Sequence, residues 1–236
     1  MQKNLIQFIP DDQKISLMED TLDSHIKLIY KNKDINSWAT VKRGSGSVLP
    51  EITFQDLIKS GLRNNPDWLM VSEVRGAEAE ALLSAALTSH SIMTTLHASG
   101  AENIPARITD MVAQAKSMDY GALQRNIVSV LNIGIQLERL VKDGKTVRRI
   151  KEMYEYVNYD PELGIIGYPV YEVNEVYDPE TGTYNTVTNM NRLSDKMLKK
   201  IEDLRELQYV PSVFKDGPYR GKTVDDKKRA IDNSLE

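Results

Sequence analysis

Pro66-Asp67-Trp68-Leu69-Met70-Val71-Ser72-Glu73-Val74-Arg75-Gly76 is the stretch on which the reading of the fold turns. Trp68 to Val71 is continuously apolar rather than alternating, the pattern of a strand buried on both faces of a parallel sheet, and the run ends at a carboxylate, Glu73. The alanine- and leucine-rich segment Glu78 to Leu87 follows as a strong helix former. Ser91 to Leu96 is β-prone again and delivers His97 at its end. Strand, helix, strand in this order predicts an α/β domain whose helices cover a mainly parallel sheet.

Upstream of that stretch, Lys14 to Met18 and Ile26 to Tyr30 read as two short strands, and Arg43 to Ser47 as a glycine and serine loop. Thr53 opens a helix, with Asp56 three residues on as in a capping box and Phe54, Leu57, Ile58 and Leu62 on one face. Asn64, Asn65 and Pro66 stop it. Downstream, Pro105 stands in the first turn of a helix, and Leu123 to Leu131 forms another. Ile133 to Val141 and Thr146 to Val157 flank Lys142-Asp143-Gly144-Lys145, a hairpin signal, and this hairpin is expected to close the sheet. Tyr168 to Tyr177 and Tyr184 to Thr188 form a second hairpin around Asp178-Pro179-Glu180-Thr181-Gly182, and Ser194 caps a helix bearing Met197, Ile201 and Leu204. From Lys222 onward the chain is highly charged and expected to fray.

Nine of the 11 tyrosines follow residue 150 while all three histidines precede residue 98, which separates the chemistry from the tail. The expected division is therefore residues 1–157 and 158–236. At 236 residues with 41% apolar side chains the chain can bury a sizeable core. No apolar run approaches the ~18 residues of a membrane span. Cysteine is absent, which excludes disulfides, thiolate metal sites and cysteine nucleophiles. A net charge of −4, with no basic stripe carrying interleaved aromatics, argues against direct nucleic-acid binding. Met1 to Pro10 does not read as a signal peptide, so the expected location is cytoplasmic.

Three polar clusters stand at or near ends of the expected strands: Glu19, Asp20 and Asp23; Glu73 and Arg75; His90 and His97. In an open parallel sheet ligands bind at the edge formed by the strand ends. Carboxylates there can hold magnesium through water or orient an attacking water, while imidazole and guanidinium groups stabilise phosphate charge. The combination points to phosphoryl transfer. Each residue has a plainer reading beside it. Glu19 and Asp20 suit a solvated turn, Glu73 suits the N-terminus of the next helix, and Arg43 and Arg63 suit ordinary surface charges. His90 and His97 with Glu73 can also be drawn as a zinc site, which neither their spacing nor a third nearby histidine supports.

Taken jointly, these segments resemble the secretion ATPases that power type II and type IV secretion and type IV pili. Ser16 to Asp23 is similar to the family's acidic box, Pro66 to Gly76 to its atypical Walker B segment, and Ala85 to His90 followed by Thr94 to Ala98 to its histidine box. Gln136 to Leu140 with the turn at Asp143-Gly144-Lys145 is similar to the closing hairpin of the tight-adherence and conjugation branch. The resemblance spans roughly residues 1–157 and implies a RecA-like P-loop NTPase core with a small α+β C-terminal extension. It implies catalytic roles for Glu73, Asp23 and Glu19, with Asp23 standing where the family usually has a glutamate. Nucleotide contacts are implied for Arg75, His90, His97, Arg43 and Arg63, the last two near subunit boundaries. It further implies ATP and Mg2+ as cofactors, the magnesium held through water by Glu73 and Asp20, a hexameric ring of like or full-length subunits, inner-membrane secretion platform proteins as partners, and a peripheral place at the cytoplasmic face of the membrane. Ser72 and Ser89 replace family glycines.

The Gly-x-x-x-x-Gly-Lys-Ser/Thr phosphate cradle is found nowhere in the 236 residues. Gly44-Ser45-Gly46 and Gly221-Lys222-Thr223 both lack its spacing. Aligned on Leu5 to Pro10, Met1 falls just after the place where the cradle's lysine and hydroxyl would stand. The expectation is a family member cut before that motif, inactive alone; the alternative is a non-enzymatic shortened paralogue that assembles with or regulates full-length subunits.

Overall fold

The computed structural model describes residues 1–44, 50–115, 118–142 and 144–218. The glycine and serine loop beyond Gly44, Asp143 of the first hairpin turn and the charged tail lie outside them. Two compact units are present, Met1–His97 with Ile108–Met118, and Ala98–Arg107 with Asp119–Glu236.

In the first unit a short helix α1 (Gln2–Leu5) leads to β1 (Ile15–Glu19), a one-turn helix α2 (Ile26–Ile29), β2 (Ile35–Ala39), α3 (Phe54–Leu62), β3 (Trp68–Val71), α4 (Glu78–Leu87) and β4 (Ser91–Thr94). The four strands form an all-parallel sheet in the order β2-β1-β3-β4. All five β1 residues are buried, as expected where both faces of a parallel sheet are covered. One face packs Ile15, Leu17, Ile35 and Met70 against Ile6, Ile9 and Ile26. On the other face lies α3, whose Gly61 lies so close to Met18 that an added Cβ would stand 2.4 Å from the methionine methyl. The reciprocal Thr53 and Asp56 capping box is present at the start of α3.

The expected strand at Ile26 to Tyr30 is instead α2, and the strand that pairs with β1 is β2, nine residues later. Ile26 is buried and Tyr30 packs against the same core, while Leu28 and Ile29 are 68% and 58% exposed, a spacing of four that suits a helical turn. A single helical turn, with the Leu28 and Ile29 amides donating to the His25 carbonyl, satisfies the backbone locally.

α5 (Ile104–Ala115) runs from the second unit into the first; Met111 and Val112 are fully buried. The second unit continues with α6 (Tyr120–Val130), β5 (Ile133–Lys142), β6 (Lys145–Asp160), β7 (Gly164–Asp178), β8 (Thr183–Met190), α7 (Asp195–Asp203) and α8 (Ser212–Asp216). Its strands form a separate antiparallel sheet, β5-β6-β7-β8. The hairpin of β5 and β6 therefore does not close the parallel sheet; it pairs onward to β7, and residue 157 falls inside β6. Antiparallel hairpin strands find their hydrogen bonds in each other and in the next hairpin, which leaves them no need of a parallel neighbour.

Across this sheet Arg149 bridges Glu138 at 2.6 Å and Glu175 at 2.8 Å, and Thr186 donates to Glu175, a polar row touching every strand. Below it Glu155, 1% exposed, accepts from the Ser194 amide at 2.9 Å, from the Ser194 hydroxyl and from Tyr168 at 3.1 Å. Ser194 in turn caps α7 by accepting from the Met197 amide. A buried carboxylate is tolerated because it is held by three donors.

Candidate active site

Parallel pairing sets Met18 level with Val71, so the residues that follow β1 and β3 emerge together at the C-terminal edge of the sheet. Asp20 and Glu73 are those residues. Beyond β3 the chain is kept close to β4: the Val74 amide donates to the Thr95 carbonyl at 2.8 Å and the Thr95 hydroxyl to the Ser72 carbonyl at 2.5 Å. This clasp brings His97 Nε2 to 3.3 Å from Glu73 Oε1, while Arg75 Nη2 lies 2.6 Å from Glu73 Oε2. Glu78, in the first turn of α4, fixes the loop by accepting from the Arg75 and Gly76 amides at 2.6 and 3.0 Å.

The bonded Arg75 guanidinium holds the Glu73 carboxyl below the usual carboxylate range, outweighing partial desolvation and the nearby Asp20 charge. Arg75 is raised in return, chiefly by the same bond. Asp20 is lowered as well, first by its bond to Lys42 Nζ at 2.8 Å and then by that to the Thr40 hydroxyl at 2.8 Å. Both carboxylates are thus kept ionised. Glu73 Oε1 is nevertheless occluded from solvent and, apart from the His97 Nε2 contact at 3.3 Å, has no partner among the described residues. An ionised oxygen with so few partners keeps acceptor capacity for a further donor.

Thr40 and Lys42 were not foreseen as members of this group. Placing a strand at Ile26 to Tyr30 hid the fact that β2 ends at Ala39, which puts Thr40 and Lys42 beside Asp20. Among the described residues no group of three or more His, Asp or Glu converges as a direct metal cage, and the zinc arrangement with both histidines is not formed.

The structure divides the other candidates. His90 precedes β4 whereas His97 follows it, so the two imidazoles stand at opposite ends of one strand. His90 Nδ1 lies 3.2 Å from the Ala85 carbonyl and 3.3 Å from the Thr88 hydroxyl, closing the end of α4. Arg63 is the exposed residue ending α3, also at the N-terminal edge of the sheet. Arg43 is exposed beyond β2, at the same edge as Glu73. Asp23 is exposed. Glu19 is 3% exposed and turns away from Asp20, accepting from the Ser24 amide at 3.2 Å and the Ser37 hydroxyl at 3.4 Å.

Set beside known proteins, residues 2–207 match the family described as Type II/IV secretion system protein, so the likeness extends well past residue 157. An uncharacterized protein of Methanocaldococcus jannaschii is 36% identical over 180 residues, 75% of this chain and 60% of its own length. The type IV secretion system protein VirB11 of Brucella suis is 27% identical over 172 residues, 68% of this chain and 44% of its own. The crystal structure of the VirB11 ATPase from the Brucella suis type IV secretion system in complex with sulphate is similar with a TM-score of 0.53 and 26% identity, covering 65% of this chain and 43% of that one. The chain thus spans less than two thirds of the length of these relatives.

Proposed function

The chain belongs to the Type II/IV secretion system protein family, and on that premise we propose that it supplies the water- and magnesium-side half of the ATP site of a secretion motor. The observation that carries this reading is the occluded Glu73 Oε1 at the edge where Asp20, Arg75 and His97 meet. Glu73 and Asp20 are the residues that would hold a hydrated magnesium ion, which when bound neutralises charge on phosphate oxygens. Because Arg75 lowers the Glu73 pKa, the carboxylate serves better as a fixed negative charge that orients water than as a strong proton acceptor. Thr40 and Lys42 keep Asp20 in place. His97, 94% exposed, is free to turn toward a bound phosphate. Arg43 reaches outward toward the site of a neighbouring subunit in a hexameric ring, and Arg63 does not share that edge. Work at the cytoplasmic face of a membrane, with platform proteins as partners, completes the reading.

The 236 residues hold no P-loop motif, and phosphate contacts from such a loop are charge-assisted and act together. By itself this polypeptide therefore hydrolyses ATP poorly. The decisive experiment joins it to the preceding P-loop-bearing segment of a relative and measures turnover. Magnesium-dependent hydrolysis that falls at least ~100-fold on Glu73→Gln, the scale of losing an electrostatic catalytic group, supports the proposal. A folded, nucleotide-binding chimera without turnover, or one indifferent to Glu73→Gln, overturns it and leaves a non-enzymatic subunit, to be tested by co-purification with a full-length relative.

A further inference from the structure

On the α2 side of the parallel sheet, β1, β2 and α2 enclose an open hollow of about 440 Å³ whose lining does not include Glu73, Arg75 or His97. Glu19 and Ser37 border it, Ile26 and Leu22 give it apolar walls, and His25, Lys27 and Lys31 stand around it with Leu28. Three features set it apart from ordinary surface. Leu22 and Leu28 are 53% and 68% exposed, a concentration of large apolar side chains around a concavity. Lys27 and Lys31 are exposed and form no ion pair among the described residues, whereas Lys33 beside them is paired with Asp11 at 2.7 Å. The one carboxylate in the lining, Glu19, is 3% exposed, is held by Ser24 and Ser37 and forms no ion pair with the two lysines. Of the five Lys or Arg in residues 24–43, Lys33 and Lys42 are paired with Asp11 and Asp20, which leaves Lys27 and Lys31 as the unpaired cations around the hollow.

We propose that this hollow is a docking site for an acidic segment of a partner protein that inserts one apolar side chain between Leu22, Ile26 and Leu28 while its carboxylates face Lys27, Lys31 and His25. Concavity favours a side chain over a membrane surface, and the unpaired cations fix the sign of the partner. The site is independent of the Glu73 cluster and stands whether or not the chain takes part in ATP hydrolysis.

Selection of a displayed random-peptide library on the intact chain tests it. Enriched peptides are expected to combine Asp or Glu with Leu, Ile or Phe and to bind more weakly as salt is raised. Binding of a synthetic copy should fall at least ~10-fold with K27E/K31E, in line with losing charge pairs at an interface, and several-fold with Leu28→Ala, while Lys145→Glu, the charge control on the other unit, leaves it unchanged. Both lysines are exposed, and circular dichroism verifies that the variants remain folded. Failure to enrich any peptide, enrichment without acidic residues, binding that survives K27E/K31E, or capture of phosphatidylserine vesicles in place of peptides would each overturn the proposal.

Discussion

Ser89 lies at φ 72°, in the left-handed region that L residues enter at a cost, at the position where the resemblance had placed a glycine. A backbone that favours glycine is therefore present at Ser89 and not at Ser72. Ser89→Gly should raise stability by about 0.5–1 kcal/mol, the strain outweighing the extra freedom of the unfolded chain. Thermal unfolding of the two proteins reads the sign directly, and a lower midpoint for the variant would refute it. Arg75 offers a second test. With the guanidinium removed in Arg75→Met, Glu73 should titrate nearer the ordinary carboxylate range, seen by carboxyl carbon-13 NMR. A carboxylate lowered by folding contributes stability above its unfolded pKa and loses it as pH falls through the folded value. The stability difference between wild type and Arg75→Met should thus be largest near neutrality and vanish in acid.

Among the elements, those with local signatures were readable from the sequence. The α3 capping box, the ends of α4 at Glu78 and Leu87, and the α7 cap at Ser194 all depend on side chains within a few residues. Partnership between strands was less legible, because hydrogen bonding across a sheet leaves no mark in one strand's own residues. That is why β2 was missed and the hairpin of β5 and β6 was assigned to the wrong sheet. The candidate site shares this limit. Glu73, Arg75 and His97 were found because each sits at the end of an apolar run, while Thr40 and Lys42 became visible only with β2 in its place. Gly167 shows what strand pairing demands in return. It stands opposite Tyr156 beside an irregularity between Tyr156 and Asn158, and an added Cβ would lie 2.4 Å from the Glu155 carbonyl oxygen. Backbone cannot swing aside as a side chain can, so Gly167→Ala should cost about 1–3 kcal/mol in urea unfolding. An unchanged midpoint would mean that β7 can shift register at no cost.

For the whole molecule, the titrating groups bound stability on two sides. Asp20 and Glu73 are lowered by their cationic partners, so what they contribute is present above the ordinary carboxylate range and lost as pH falls through their folded values. Glu152 is raised, mainly by desolvation, and opposes them: its contribution is present in acid and lost as pH rises. At the other end, burial pushes the Tyr154 hydroxyl up to about 12 and Tyr156 higher still, so their contribution is intact below the ordinary tyrosine pKa and lost as pH rises above it. Urea midpoints should form a plateau between about pH 5 and pH 9 and decline on both flanks. A midpoint still rising at pH 11 would contradict the burial of these phenols.

Only three histidines occur in the chain, and the fold has given each a different address. His97 stands beside Glu73, His90 at the far end of a four-residue strand that spans roughly 13 Å, and His25 on the rim of the α2 hollow. The protein thus carries a built-in set of three spectroscopic beacons that need no labelling chemistry. In an imidazole proton spectrum a nucleotide bound to the P-loop-bearing chimera should disturb the first, an acidic peptide the third, and the second should stay still as an internal standard.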